Sequence, residues 1–292
     1  MKDTLIFSLG SFGSKIILFF MVPLYTNYLT TEEYGTADLV FTVAQFLTPI
    51  MSVVIHDAII RYGLSKDFKR EDVLRVGYYI IGVDILVAIA LGPVVGLYKP
   101  LTQWKWYLSV YAVISIVDSI QFNYLKACGK NRLYAVLSVL KTACMASLNV
   151  LLLAIKHIGV RGYLLANILA LCLTDLLVFI FGKYASELKR SEHDSKLLKE
   201  MLWYSTPLIL NNISWWVIQS SDKVMIEYIL GPAMLGLYTV AAKIPALINV
   251  VISIFSQAWG ISSITEYEDS NDITFYSTVQ RMYLFVVCAA CI

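Results

Sequence analysis

Charge is scarce in this chain. Only 15% of its 292 residues are Asp, Glu, Lys or Arg, whereas a soluble domain carries about 25%. The five cysteines (Cys128, Cys144, Cys172, Cys288 and Cys291) form no secreted-type disulfide framework. Cys288-Ala-Ala-Cys291 has redox spacing, but it lies in an apolar run without a βαβ pattern, so no redox or metal site is read there. The last four residues make no prenylation box. The N-terminal apolar stretch is too long for a cleaved signal and lacks a small-residue cleavage site. The one long hydrophilic stretch, Lys183 to Glu200, mixes basic and acidic residues without an aromatic platform, which argues against nucleic acid as a partner.

Apolar sequence is what the chain has in quantity. Hydrophobic residues make up 58% of it, and its mean hydropathy is +0.69. A bilayer crossing needs roughly 20 mostly apolar residues. Such runs lie near 4–28, 36–60, 76–98, 104–125, 134–155, 160–182, 202–226 and 235–258. A ninth begins near Tyr276 and is still apolar at Ile292. A span ending there would leave backbone carbonyls in hydrocarbon, each costing several kcal/mol. The sequence therefore reads as a fragment of a longer protein. The expected class is an all-α, polytopic membrane protein with about eight complete spans and a partial ninth.

Basic residues set the expected orientation. With the N-terminus cytoplasmic, inner segments hold three times as many Lys and Arg as outer loops, Lys223 being counted among the outer ones. Trp104, Trp106 and Tyr107 fall at an outer boundary, as an aromatic belt does. The hydrophilic stretch becomes an inner linker, read as solvated, between an N-terminal lobe of six spans over 1–182 and a second lobe beginning at 201–292.

A short repeat crosses that linker. Leu29-Thr-Thr-Glu-Glu-Tyr-Gly35 follows the first span, and Leu230-Gly-Pro-Ala-Met-Leu-Gly236 follows the seventh. Both sit in outer loops, and each Gly is read as permitting a tight start to the next helix. Six spans per unit gives parallel repeats, one of the standard transporter plans.

Polar residues inside the spans fall on stripes. Asp38, Thr42, Gln45, Pro49, Ser52 and His56 share one line of span two. Tyr204, Asn211, Trp215 and Asp222 share a face of span seven, while Gly236, Thr239, Lys243 and Gln257 share one of span eight. Lys15, Asp84, Asp118, Lys141, Asp175 and Lys243 would cost on the order of 15–20 kcal/mol if they faced lipid. They are expected to face one another or a water-filled cavity. Asp118 and Lys141, on adjacent spans, make a candidate structural ion pair. Asp38 and Asp222 are placed near the outer boundary, where hydration makes charge cheap. Lys15 and Lys243 have no acid at helical spacing beside them. Pro23, Pro49, Pro207 and Pro245 are read as breaks in spans one, two, seven and eight. No cofactor and no metal are called for.

Two segments carry a resemblance. Phe19-Phe-Met-Val-Pro-Leu-Tyr-Thr-Asn-Tyr-Leu-Thr-Thr-Glu-Glu-Tyr-Gly-Thr-Ala-Asp38 resembles the opening of the Wzx-type O-antigen flippases, bacterial polysaccharide-unit transporters of the multidrug/oligosaccharidyl-lipid/polysaccharide exporter superfamily. Asp222-Lys-Val-Met-Ile followed by Leu230-Gly-Pro and Tyr238 is similar to their second half. The resemblance implies a two-lobe helical bundle transporter fold in the bacterial cytoplasmic (inner) membrane. It also implies a substrate, an undecaprenyl-pyrophosphate-linked glycan carried between leaflets. Membrane lipid, a polysaccharide polymerase and glycosyltransferases are the implied partners. On that reading, Lys15 and Lys243 attract the pyrophosphate and Gln45, Tyr204, Asn211 and Trp215 meet sugar. Asp38 and Asp118 are the candidates for ion coupling. Two rivals stand beside it. A cation-coupled multidrug exporter shares the fold but favours acidic cavity residues. A membrane enzyme of polysaccharide assembly needs a large outer loop or an embedded catalytic His, for which only His56 is available.

Overall fold

The computed structural model describes residues 17–245, except Phe19, Lys66, His193 and Ile244, together with Arg281. The described residues are helical throughout. The order is α1 (Val22–Tyr28), α2 (Thr31–Met51), α3 (Ile55–Leu64), α4 (Arg70–Val95), α5 (Lys105–Ala127), α6 (Asn131–Asn149), α7 (Val160–Phe181), α8 (Tyr184–Arg190), α9 (Ser195–Leu230) and α10 (Pro232–Ala241). A wider π-type turn, Val150–Ile155, extends α6.

Four helices among the described residues are long and apolar enough to cross a membrane: α4, α5, extended α6 and α7. The pair α2 and α3, bent by 53°, makes a fifth. α9 is 36 residues long, about 54 Å at 1.5 Å per residue. It carries Asn211, Asn212, Gln219, Asp222 and Lys223 and is not among the apolar ones. The start of the first expected span, the end of the eighth and the ninth lie outside the described residues.

α5 is the centre of the first bundle. Leu108, Ala112, Ile116, Ile120 and Tyr124 recur every fourth residue along it, and all are buried. It packs against α2, α3, α4 and α7. Around this hub, large apolar side chains such as Leu86, Ile89 and Val94 on α4 point outward and remain exposed, as lipid-facing residues do.

Local chemistry explains where α2 begins. Thr30 accepts from the Glu33 amide, while Glu33 accepts from the Thr30 amide, a reciprocal cap. The helix thus starts at Thr31, five residues before the expected span. Pro49 lies inside α2, and the break follows at 52–54, where Val53 and Val54 both take positive φ. That conformation is strained for β-branched residues. Thr48 donates to Ala44 O at 2.9 Å and Ser52 to Thr48 O at 2.8 Å, so side-chain hydroxyls serve the carbonyls around the proline. Pro207 breaks nothing, because α9 runs through it; Pro23 lies in the first turn of α1, where a missing amide is harmless.

The linker departs from its solvated reading. Tyr184 is fully buried and donates to Gln121 O at 2.7 Å. Lys130 holds Gly182 O at 2.8 Å and Glu187 at 3.2 Å. Arg75 donates to Ser191 O at 2.8 Å, and Asp72 accepts from the Glu192 amide at 2.6 Å. These contacts fasten α8 and the residues after it to the first bundle.

Both repeat glycines have a role other than the expected one. Gly35 lies inside α2 and Gly236 inside α10, at the most extensive helix pairing in the described structure. A Cβ on Gly35 would overlap the Pro232 carbonyl oxygen, and one on Gly236 would overlap that of Thr31. The glycines exist to let two backbones touch, not to start helices. Gly35→Ala should therefore destabilise the fold by about 1–3 kcal/mol through overpacking, read as a lower unfolding temperature in detergent. Gly82→Ala, with nothing within 4 Å of the added carbon, should leave that temperature unchanged or slightly raised.

Candidate functional site

Polar groups gather where α9 and α10 meet the first bundle. Asp38 on α2 is the hub. Lys223 Nζ lies 2.9 Å from its Oδ2 and 3.2 Å from its Oδ1, and Thr239 donates to Oδ2 at 3.0 Å. Lys243, one turn beyond Thr239, is half-buried and lies in the field of both Asp38 and Lys223. Asp222 accepts from Tyr238 OH and, at 2.8 Å, from the Lys223 amide. Nearer the outer helix ends, Tyr98 donates to buried Glu227.

The same interface continues inward. Trp216 donates to Thr42 O at 2.9 Å and its ring lies 4.7 Å from Phe46. At the inner end the Arg61 guanidinium stacks 4.3 Å over Tyr204, which meets Tyr62 edge-on. Tyr62 donates to Glu200 O at 3.3 Å. Aromatic and charged groups are thus spent on joining the elements, where apolar surface gives little drive for association in lipid.

A second polar cluster lies within the first bundle. Lys141 Nζ on α6 reaches both oxygens of Asp118 on α5, at 2.8 and 2.9 Å, and sits 4.2 Å over the Phe122 ring. Asp175 on α7 is an electrostatic neighbour of both. Asp84 on α4 is fully buried, and neither of its oxygens has a hydrogen-bonding partner. Among the described residues it has neither a counter-charge nor a hydrogen-bonding partner, contrary to the expectation for embedded charges.

The residues expected from sequence fall in several places. Asp38 and Lys243 come together, and Asp118 and Lys141 come together. Asp38 lies seven residues inside α2 and is paired with Lys223. Tyr204 is engaged with Arg61, while Gln45, Asn211 and Trp215 are exposed. Lys15 lies outside the described residues. Lys223, counted with the outer loops, is inside α9 and binds Asp38. Its signal was present in the Asp222-Lys223 pair. Thr239 lay on the polar face read for span eight; Trp216 and Glu227 had no distinguishing signal, since each acts through a partner distant in sequence.

The interdigitating helices, the polar seam and the apolar exterior define a multi-pass helical membrane protein. The chain belongs to the family described as polysaccharide biosynthesis protein, which it matches over residues 1–259. It is 23% identical over 267 residues to a protein of the Lsg locus of Haemophilus influenzae, covering 88% of this chain and 64% of that relative. A second Haemophilus influenzae membrane protein is 22% identical over 265 residues, covering 88% of this chain and 63% of its own length. The chain thus spans less than two thirds of the curated relatives it matches. Among solved structures, the multidrug transporter DinF-BH superposes with a TM-score of 0.66 at 14% identity, covering 99% of this chain and 68% of its own. A second transporter of that fold, in complex with Br-NRF, gives 0.58 at 15% identity, covering 98% and 73%.

The Asp118–Lys141 pair supplies a stability prediction. Lys141→Met strands a carboxylate in the bundle and should cost about 3 kcal/mol or more. Combining it with Asp118→Leu should recover most of that loss. Thermal unfolding of the single and double variants measures both steps.

Proposed function

We propose that the protein carries lipid-linked oligosaccharide or polysaccharide repeat units from the inner to the outer leaflet of a bacterial cytoplasmic membrane. In this reading residues 1–182 and 201–292 belong to two lobes joined by 183–200. The observation that carries it is electrostatic: Lys223 pairs with Asp38 at the seam between lobes, and Lys243 lies in the field of both. Lys243, with no ion pair of its own among the described residues, is left to meet a pyrophosphate, which a cation exporter would not need. Membership in the polysaccharide biosynthesis family and the kinship with a protein of the Lsg locus support the same reading. Lys243 and Lys15 attract the pyrophosphate. Exposed Gln45, Asn211 and Trp215 offer amides and an aromatic face to sugar, and Tyr204 contributes from the inner end. The polyprenyl tail stays in lipid, and rocking of the lobes alternates access. The Asp118–Lys141–Asp175 cluster is the coupling candidate within the first lobe. A polymerase and glycosyltransferases acting on the same glycan are the expected partners.

A cation-coupled multidrug exporter is the second reading. It is favoured by buried, unpaired Asp84 and by the multidrug transporters among the fold neighbours. The readings separate in a strain lacking the gene. The full-length protein should restore surface glycan and leave drug tolerance unchanged. The Lys15→Ala/Lys243→Ala double variant should lower translocation at least tenfold, a loss of about 1.4 kcal/mol or more. Undiminished flipping by that variant sinks the cationic-seam reading.

A further inference from the structure

Three residues of the seam lie at one depth. Asp38 is seven residues past Thr31 at the start of α2, Lys223 seven before Leu230 at the end of α9, and Thr239 seven past Pro232 at the start of α10. Each is therefore about 10 Å below the helix ends that the charge bias assigns to the outer face. Immediately above them, Gly35 and Gly236 bring the α2 and α10 backbones into contact, leaving no side-chain space between the helices. Tyr98 and Glu227 add a further bond nearer the outer ends. The outer third of the seam is closed by backbone contact and secured by one carboxylate that serves two elements.

That carboxylate is oversubscribed. Lys223 takes both of its oxygens, Thr239 takes one of them again, and Lys243 feels its charge without an ion pair of its own among the described residues. Lys243 also sits one turn further from the outer ends than Thr239.

We propose that Asp38 is an internal stand-in for the substrate's phosphates: it clasps the outer end of the seam through Lys223 and Thr239, and a phosphate-bearing substrate that takes the lysines releases the clasp. The proposal rests on the reading of the substrate as a pyrophosphate-linked glycan. A dianionic phosphate group outcompetes a single carboxylate for two ammonium groups, because it offers more charge and more acceptor oxygens. Once Lys223 turns to it, the outer end of α2 keeps the Thr239 bond and the glycine contact with α10, while Trp216 still holds Thr42 O and Phe46 deeper in the seam. Binding and outer opening become one event, and the empty carrier stays shut.

The test uses the full-length protein in lipid vesicles. Its native cysteines are replaced, and spin labels are placed at Glu32→Cys and Met234→Cys, both exposed near the outer ends. The free protein should show a single short distance. Inorganic pyrophosphate should add a longer-distance population, and sodium chloride at matched ionic strength should not. Asp38→Asn should show the longer population with no anion present. Lys243→Gln should lose the response to pyrophosphate, and Thr239→Val should shift the distance less than Asp38→Asn. Retention of the size-exclusion profile identifies variants that remain folded. An unchanged short distance in folded Asp38→Asn overturns the clasp. Equal effects of pyrophosphate and salt, or no effect of pyrophosphate, overturn release by anion. A pyrophosphate response in a protein that moves no lipid-linked glycan keeps the proposal and overturns only the reading from which the substrate was taken.

Discussion

Two backbones touch where Gly35 meets Gly236, and the organisation of the seam depends on that approach. Inside a bilayer, lipid tails are as apolar as leucine, so burying apolar surface does little to hold helices together. Close backbone packing and polar bonds do that work instead. With any side chain at either glycine, α2 and α10 would separate, and Asp38 would no longer reach Thr239 and Lys223 together. The repeat motif and the charge cluster are thus one device: small residues set the spacing, and the carboxylate exploits it.

The two polar clusters differ in a way that bears on function. Asp118 and Lys141 satisfy each other within a single bundle and join α5 to α6. The Asp38 cluster joins elements from both sides of the linker and has a lysine left over. A paired charge inside one rigid unit holds shape. An unevenly shared charge between two units has alternative arrangements of similar energy, which is what a moving interface needs. The linker fits this division. Its first part is fastened to the first bundle by Tyr184, Lys130 and Arg75.

Legibility varied with the range of the interaction. Long apolar runs marked the spans of α5, α6 and α7 to within three residues and α4 to within six, because a bilayer demands length and hydropathy that are local properties of the chain. The proline breaks were legible only in part. Pro49 is followed by a bend and Pro207 is not, since the outcome depends on which neighbours receive the freed carbonyl. The start of α2 was misplaced although its Thr30–Glu33 cap is visible in the letters. The cap fixes where the helix begins, whereas hydropathy marks only its apolar part.

Composition and pattern alone determined that this is a multi-pass helical protein with a repeat across a hydrophilic linker and charges inside its spans. Family membership was legible in the same segments that surround Gly35 and Gly236. What only the tertiary structure decided is who pairs with whom. Lys243 has no acid at helical spacing, yet it lies in the field of Asp38 from another helix; Lys223 looked like a loop residue and reaches both oxygens of that acid. Helical periodicity reports the face a residue occupies on its own helix. The partner across the seam is fixed by helix crossing and depth, and those arise only when backbones from distant parts of the chain come into contact.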